Sequence, residues 1–187
     1  AISPQATAAL EAKYGLDKPL WQQYLTYMAG ASHGDFGDSL KQRGRTVMDI
    51  ITMKFPVSAR VGGVSVLVAL LLGVPLGCIA ALKRGKFLDN LISVVSTCGI
   101  AVPSFVICTL LLYFFGVRLQ ILPTMGLTSW KHYVMPVMAL AFYPTAYIMR
   151  LMRSSMLDVL GQDYMRTAKA KGLAGGKILF KHALRNA

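Results

Sequence analysis

The chain has 187 residues, of which 55% are hydrophobic and only 15% charged, with a formal net charge of +12. Soluble domains carry about a quarter charged residues, and here the apolar residues fall in blocks of the length, about 20, that crosses a bilayer. The positive charges sit at the ends of those blocks, as membrane topology demands. No aromatics interleave with a basic groove, as single-strand binding requires, so no nucleic-acid partner is expected.

Residues 1–45 are polar and mixed. Ser3-Pro4 reads as a cap followed by proline in the first turn of a helix that stops at Gly15. Asp17-Lys-Pro-Leu-Trp21 opens a second helix, with Leu20, Trp21, Tyr24, Leu25 and Met28 on one side and Gly30 as its end. His33 to Ser39 is a turn-rich loop. Thr46 to Phe55 reads as a short amphipathic helix, with Val47, Ile50 and Ile51 together, broken at Pro56.

Three uncharged runs come next. Val61–Leu82 has 22 residues and contains Gly62, Gly63, Gly73, Pro75 and Gly77, residues that permit close packing between membrane helices. Leu91–Val117 has 27 residues, with Pro103 near its middle to kink it. Residues 118–132, with Pro123 and Gly126, form a connector. Tyr133–Met149 has 17 residues, including Pro136 and Pro144, and is bounded by Lys131-His132 and by Arg150 and Arg153. The expected organisation is a helical segment at 1–56, three spans at about 57–82, 88–117 and 133–153, and a basic amphipathic region at 154–187.

Lys83, Arg84 and Lys86 follow the first span, and Arg150, Arg153, Arg166, Lys169 and Lys171 follow the third. Two spans separate these clusters, so both face the cytoplasm by the positive-inside rule. The connector and residues 1–56 then lie outside. Ala1-Ile-Ser-Pro is neither basic nor followed by an apolar core, so it is no signal peptide. With no initiator Met and an abrupt end at Asn186-Ala187, the sequence is expected to be a piece of a longer protein, with a span before Ala1 that translocates the outer segment.

Catalytic chemistry is not visible. Cys78, Cys98 and Cys108 lie inside apolar runs without metal-ligand spacing and are expected to be small buried hydrophobes. His33, His132 and His182 are far apart in the sequence. Gly172-Leu-Ala-Gly-Gly-Lys177 only superficially resembles a phosphate loop: Lys171 stands where its first Gly belongs and Ile178 where a magnesium-binding hydroxyl belongs. No carboxylate is expected inside a span, which argues against a proton-coupled pump. Arg60 reads as an interfacial anchor. Ser96, Thr97, Pro103 and Ser104 form a candidate polar stripe on the second span, and Tyr143, Pro144, Thr145 and Tyr147 a similar one on the third. Each could serve helix packing or line a hydrated pathway.

The most informative stretch is Asp163-Tyr-Met-Arg-Thr-Ala-Lys-Ala-Lys-Gly-Leu173. Asp163 can cap a short helix and Gly172 can end it. A helix of about two turns is not stable alone in water, so something must hold it. Arg166 and Lys169 share a face, and Ala168 is small enough for a partner backbone to approach. The helix has little apolar face, which favours a protein over a lipid surface as its partner.

On these residues the chain resembles the permease subunits of bacterial ATP-binding-cassette importers for peptides, nearest the oligopeptide B-subunit branch. The resemblance is carried in order by Gly15-Leu-Asp-Lys-Pro-Leu-Trp21 with Gly34-Asp-Phe-Gly-Asp-Ser39, Phe55-Pro-Val-Ser-Ala-Arg-Val-Gly62, Gly99-Ile-Ala-Val-Pro-Ser-Phe105, Arg153-Ser-Ser-Met-Leu-Asp-Val-Leu160, and the run from Arg166 to Leu173 with His182-Ala-Leu-Arg-Asn186. The general family motif begins Glu-Ala-Ala with a Gly four residues later. Here the frame reads Arg166-Thr167-Ala168 with Gly172 in place, and the acidic residue is missing.

The resemblance implies an all-α, polytopic membrane protein with the type I importer fold, about three of six spans present, and small extracytoplasmic helices. It implies ATPase coupling through Asp163, Tyr164, Arg166, Thr167, Ala168, Lys169, Ala170, Lys171, Gly172 and Leu173. It implies a homologous second permease, two ATPase subunits carrying ATP and magnesium, an extracytoplasmic peptide-binding protein and the lipid of a bacterial inner membrane. This chain itself would hold no cofactor and no metal. Permeases for dipeptide, glutathione, nickel-chelate or sugar fit nearly as well. An ion-coupled secondary transporter or a structural membrane scaffold are the readings from other classes.

Overall fold

A computed structural model describes residues 11, 12 and 14–187. The helix expected from Ser3-Pro4 therefore lies largely outside the described residues. Its stop is within them, where Gly15 turns the chain at φ 60°. Two compact units divide the chain, Ala1–Ser58 and Ala59–Ala187.

In the first unit α1 runs over Leu20–Ser32. It passes through Gly30, the expected end. A Cβ at Gly30 would lie 3.2 Å from the carbonyl of Asp35, whose own N–H donates to the Gly30 carbonyl at 3.0 Å. Glycine is there for the returning loop. That loop turns at Gly34 and Gly37, both at positive φ, and closes as a minimal antiparallel bridge between Asp38 and Thr46. Leu20, Tyr24 and Tyr27 border an open apolar groove of about 1000 Å³ with Phe36, Val47 and Ile50.

Helix α2 runs over Val47–Leu82 and contributes residues to both units. A reciprocal capping box starts it: Thr46 N–H donates to Asp49 Oδ2 at 3.0 Å and Asp49 N–H to Thr46 Oγ1 at 3.1 Å. The expected break at Pro56 does not occur. Proline removes one helical donor, and Thr52, whose carbonyl loses it, is exposed.

In the second unit α3 (Phe87–Ala101) and α4 (Ser104–Leu111) replace the single kinked helix expected over Leu91–Val117. α4 continues in wider π turns over Leu112–Arg118, and the pair is bent by 99°. Pro103 disfavours helical backbone at the residue before it, and Val102 is extended at φ −83° and ψ 123°. Ala101, Pro103, Ser104 and Phe105 are exposed, so no packing opposes the break.

α5 (Lys131–Leu160) is longer than its apolar run and passes through Pro136 and Pro144 without interruption. By length and composition α2 and α5 can cross a membrane, and the bent α3–α4 pair can supply a third crossing. α6 (Asp163–Ala170) and α7 (Gly175–Lys177), which continues in π turns over Ile178–Ala183, complete the all-α fold among the described residues.

α5 is the axis of this unit. Ser65, Ala69, Gly73, Gly77 and Ala81 recur every fourth residue along α2 and are all buried. A Cβ on Gly73 would lie 2.8 Å from Ile148 Cγ2, and one on Gly77 would lie 2.6 Å from the Met149 carbonyl and 2.6 Å from Met152 Cβ. From the other side, a Cβ on Gly99 of α3 would lie 2.6 Å from Ala146 Cβ. Small residues thus bring both neighbours against the α5 backbone, where dispersion and close approach supply the attraction. Gly62 and Gly63 meet nothing within 4 Å, so the close packing expected of them falls to Gly73 and Gly77 instead.

Candidate functional site

The short helix α6 has the predicted extent but not the predicted cap. Its N-cap is Gln162, with no side-chain cap bond, and Asp163 is the first helical residue. The Asp163 side chain is exposed and lies 3.6 Å from Arg166 Nη1 instead. Its carboxylate still favours the helix start through the backbone dipole. The other end is as expected. Gly172 takes φ 70°, its N–H donates to the Lys169 carbonyl at 3.0 Å, and Leu173 N–H donates to the Ala168 carbonyl at 3.4 Å. These two bonds form a Schellman closure, which left-handed glycine makes possible.

The eight residues of α6 are held from behind. Met165 is fully buried and Ala168 nearly so, in one cluster with Ala81 of α2, Met156 and Val159 of α5, and Ile178 and Ala183 of the C-terminal turns. Leu173 packs against the same cluster and secures the Schellman closure. Ala168 therefore packs on this chain's own core, not on a partner's backbone as its size suggested. Met165 and Ala168, three apart, are the inner face. Asp163, Tyr164, Arg166, Thr167, Lys169, Ala170, Lys171 and Gly172 remain exposed. That leaves an outer face with one acidic and three basic groups, presented on a helix that cannot shift without disturbing the cluster.

Close to this cluster on α5 lies a buried ion pair that no sequence motif announces. Asp89, near the start of α3, is 2% exposed. Its carboxylate accepts Nε and Nη2 of Arg153 on α5 at 2.5 and 2.9 Å, and the N–H of Gly85 at 2.9 Å. Ser93 Oγ lies 3.5 Å from Oδ1. Gly85 sits at φ 76° in the turn between α2 and α3. Asp89 stands in the first turn of α3, just before the uncharged run that begins at Leu91. The hint in the sequence is an arginine, Arg153, inside a long helix, for which a carboxylate on a neighbouring helix is the natural partner.

The residues expected to line a pathway do not form one surface. Ser96 is buried, with Ile92 and Gly99, and its hydroxyl donates to the Ser93 carbonyl at 3.0 Å, whereas Thr97 is exposed on another face. Pro103 lies in the break and Ser104 beyond the 99° bend, so neither continues a stripe with them. On α5, Tyr143 and Tyr147 stack, ring centroids 6.4 Å apart at 15°. They line an open groove of about 390 Å³ with Ile100, Arg150, Leu151 and Ser154. Thr145 is two residues away, faces a separate apolar cleft with Phe142 and Met149, and bonds back to the Ala141 carbonyl at 2.6 Å. Cys98 and Cys108 are exposed and Cys78 is half-buried, so the expected burial fails for two of the three. They stand on the outward apolar faces of α3 and α4, where a thiol serves as a small hydrophobe without being enclosed. Among the described residues no cluster of His, Cys, Asp or Glu could hold a metal ion.

Residues 73–187, which carry α5, the ion pair and α6, match the family described as binding-protein-dependent transport system inner membrane component. The chain is 48% identical to the dipeptide transport system permease protein DppB of Bacillus subtilis (strain 168), over 95% of this chain and 58% of that protein. It is 41% identical to the oligopeptide transport system permease protein OppB of Salmonella typhimurium, over 100% of this chain and 62% of that one. The OppB of Escherichia coli (strain K12) is 39% identical over 100% of this chain and 61% of its own length. The chain thus spans about three-fifths of these relatives. On the family match over 73–187, the chain belongs to the binding-protein-dependent transport system inner membrane components.

Proposed function

We propose that this chain is part of the permease subunit of an ATP-driven importer for oligopeptides in a bacterial inner membrane. It supplies part of the pathway wall and, in α6, the helix that docks on an ATPase subunit. The observation that carries this reading is the division of α6 into a buried face, Met165 and Ala168, and an exposed polar face bearing Arg166, Lys169 and Lys171. A helix too short to be stable alone, fixed from behind and open in front, is built to receive a push at one surface and pass it to the helices it rests on.

In this mechanism the bundle end carrying Lys83, Arg84, Lys86, Arg150 and α6 faces the cytoplasm. Two ATPase subunits, which hold the ATP and magnesium, sit below this chain and a homologous second permease. A binding protein outside delivers the peptide. ATP binding favours one state of the ATPase pair, and that preference moves α6 only because the two states are bound unequally. The cluster around Met156 and Met165 then carries the motion to α5 and α2. The relatives named for oligopeptide and for dipeptide transport both support a peptide cargo. Spans with few fixed charges suit a cargo whose side chains vary.

Reconstitution of the full-length protein with candidate ATPases and a binding protein tests the reading. ATP-dependent uptake of a labelled oligopeptide is expected, with dipeptides competing weakly. Uptake that persists without ATP would place the protein among ion-coupled transporters and overturn it. Strong uptake of dipeptides alone would move the substrate to the dipeptide branch.

A further inference from the structure

The pair formed by Asp89 and Arg153 ties α3 and the turn before it to α5. Asp89 lies in the first turn of α3, Gly85 in the turn after α2, and Arg153 on α5, ten residues before Asp163. The carboxylate oxygens of Asp89 accept Nε and Nη2 of Arg153 and the Gly85 N–H, so the carboxylate has partners on both sides. A carboxylate this enclosed is stable only while those donors stay in place. Arg153 differs, because its side chain is 31% exposed and can reach water when released.

The position of the pair on α5 gives it a mechanical meaning. Three residues beyond Arg153 is Met156, fully buried in the cluster that also encloses Met165 and Ala168 of α6. The stretch between them is continuous α-helix, and a tight turn at Gly161-Gln162 then starts α6, with Gln162 N–H donating to Val159 at 3.1 Å and Met165 N–H to Gln162 at 3.1 Å. A displacement of α6 that moves Met156 reaches Arg153 within one helical turn. Beside it, a Cβ on Gly77 would lie 3.2 Å from the Arg153 backbone nitrogen, so α2 is seated on the same turn of α5.

We propose that Asp89 and Arg153 form a permanent brace that makes the α2–α3 turn and α3 move as one body with α6, and that Asp89 is a positioning residue for the coupling of ATP hydrolysis to transport. The inference rests on the reading of α6 as the docking helix. It goes further in assigning which helices follow α6, and in treating the pair as a fixed tie. Without the brace α5 can still be pushed, but α3 no longer follows, and hydrolysis proceeds without moving cargo.

The test uses the full-length permease assembled with its ATPases and binding protein. The wild-type complex first establishes ATP-dependent uptake; its failure there would count against the proposed function and not against the brace. In Asp89→Asn the peptide moved per ATP is expected to fall by about ten-fold, within the range of ordinary coupling energies, while hydrolysis continues. The charge exchange, Asp89→Arg with Arg153→Asp, is expected to recover part of that ratio. A third arm replaces both residues, Asp89→Cys with Arg153→Cys, in a background without Cys78, Cys98 and Cys108. Bridging the two thiols with a bifunctional reagent is expected to raise the ratio again, because a brace tolerates a covalent tie. If Asp89→Asn fails to assemble, the bridged pair decides alone. A wild-type ratio in Asp89→Asn, or transport that works unbridged and stops on bridging, would overturn the proposal, the second because it would show that the pair must open during the cycle.

Discussion

Replacing Met165 by alanine separates the two faces of α6 most cleanly. Met165 is fully buried among Met156, Val159, Ala81 and Ile178. Its truncation removes the largest side chain that α6 contributes to that cluster and leaves a cavity. Buried Met→Ala changes cost about 2–5 kcal/mol. An eight-residue helix has no compensating stability of its own, so the loss falls on its attachment to the bundle. At about 1.4 kcal/mol per ten-fold, 2 kcal/mol already raises the detached population about thirty-fold. Hydrogen exchange of the amides from 165 to 173 in the reconstituted full-length protein reads this directly. Faster exchange there is expected, with protection of α2 and α5 near Gly73 and Ile148 retained. The matched control is Lys169→Ala on the exposed face, which should leave exchange unchanged. Equal protection in Met165→Ala and the wild type would refute the claim that α6 is held by its buried face.

The same geometry makes three further predictions. Gly172→Val should lower the peptide moved per ATP without preventing insertion; nothing lies within 4 Å of a Cβ there, so the cost is the backbone strain of a β-branched residue at φ 70°, about 1–2 kcal/mol, and a melting curve shifted by more than that would indicate a clash instead. Gly77→Val should destabilise the protein in detergent by about 1–3 kcal/mol or more, because its Cβ would meet the Met149 carbonyl at 2.6 Å, whereas Gly62→Ala, with nothing within 4 Å, should be neutral; equal melting of the two would contradict the packing of α2 on α5. Cysteines at Tyr143 and Tyr147 should be labelled together by a soluble thiol reagent that enters their groove, and one at Thr145 should not; labelling of Thr145→Cys at the same rate would return it to the same surface.

Much of the second unit is legible in the sequence because its constraints are local. The length of the apolar runs marks the membrane-compatible helices, and Gly172 marks the close of α6 because few residues tolerate its φ. The start of α6 differs from expectation by one position because an aspartate suits both the cap and the first turn. Pro103 reads as a kink and breaks the helix outright, while Pro56, Pro136 and Pro144 leave theirs continuous. Each proline removes the same donor, and sequence spacing alone does not tell the helix that breaks from those that continue. Asp89 and Arg153 are 64 residues apart, and no periodicity links them. The split of Tyr143 and Tyr147 from Thr145 is readable from helical spacing, since residues two apart do not share a face.

On the proposed function, the exposed face of α6 docks on an ATPase subunit. A photo-activated cross-linking side chain placed at Arg166, Thr167 or Lys169, in the full-length permease assembled with its ATPases, tests it most directly. Cross-links to an ATPase subunit are expected from all three positions and none from Met165, which faces the core. Absence of ATPase cross-links from the three exposed positions in a complex that transports peptide would contradict it.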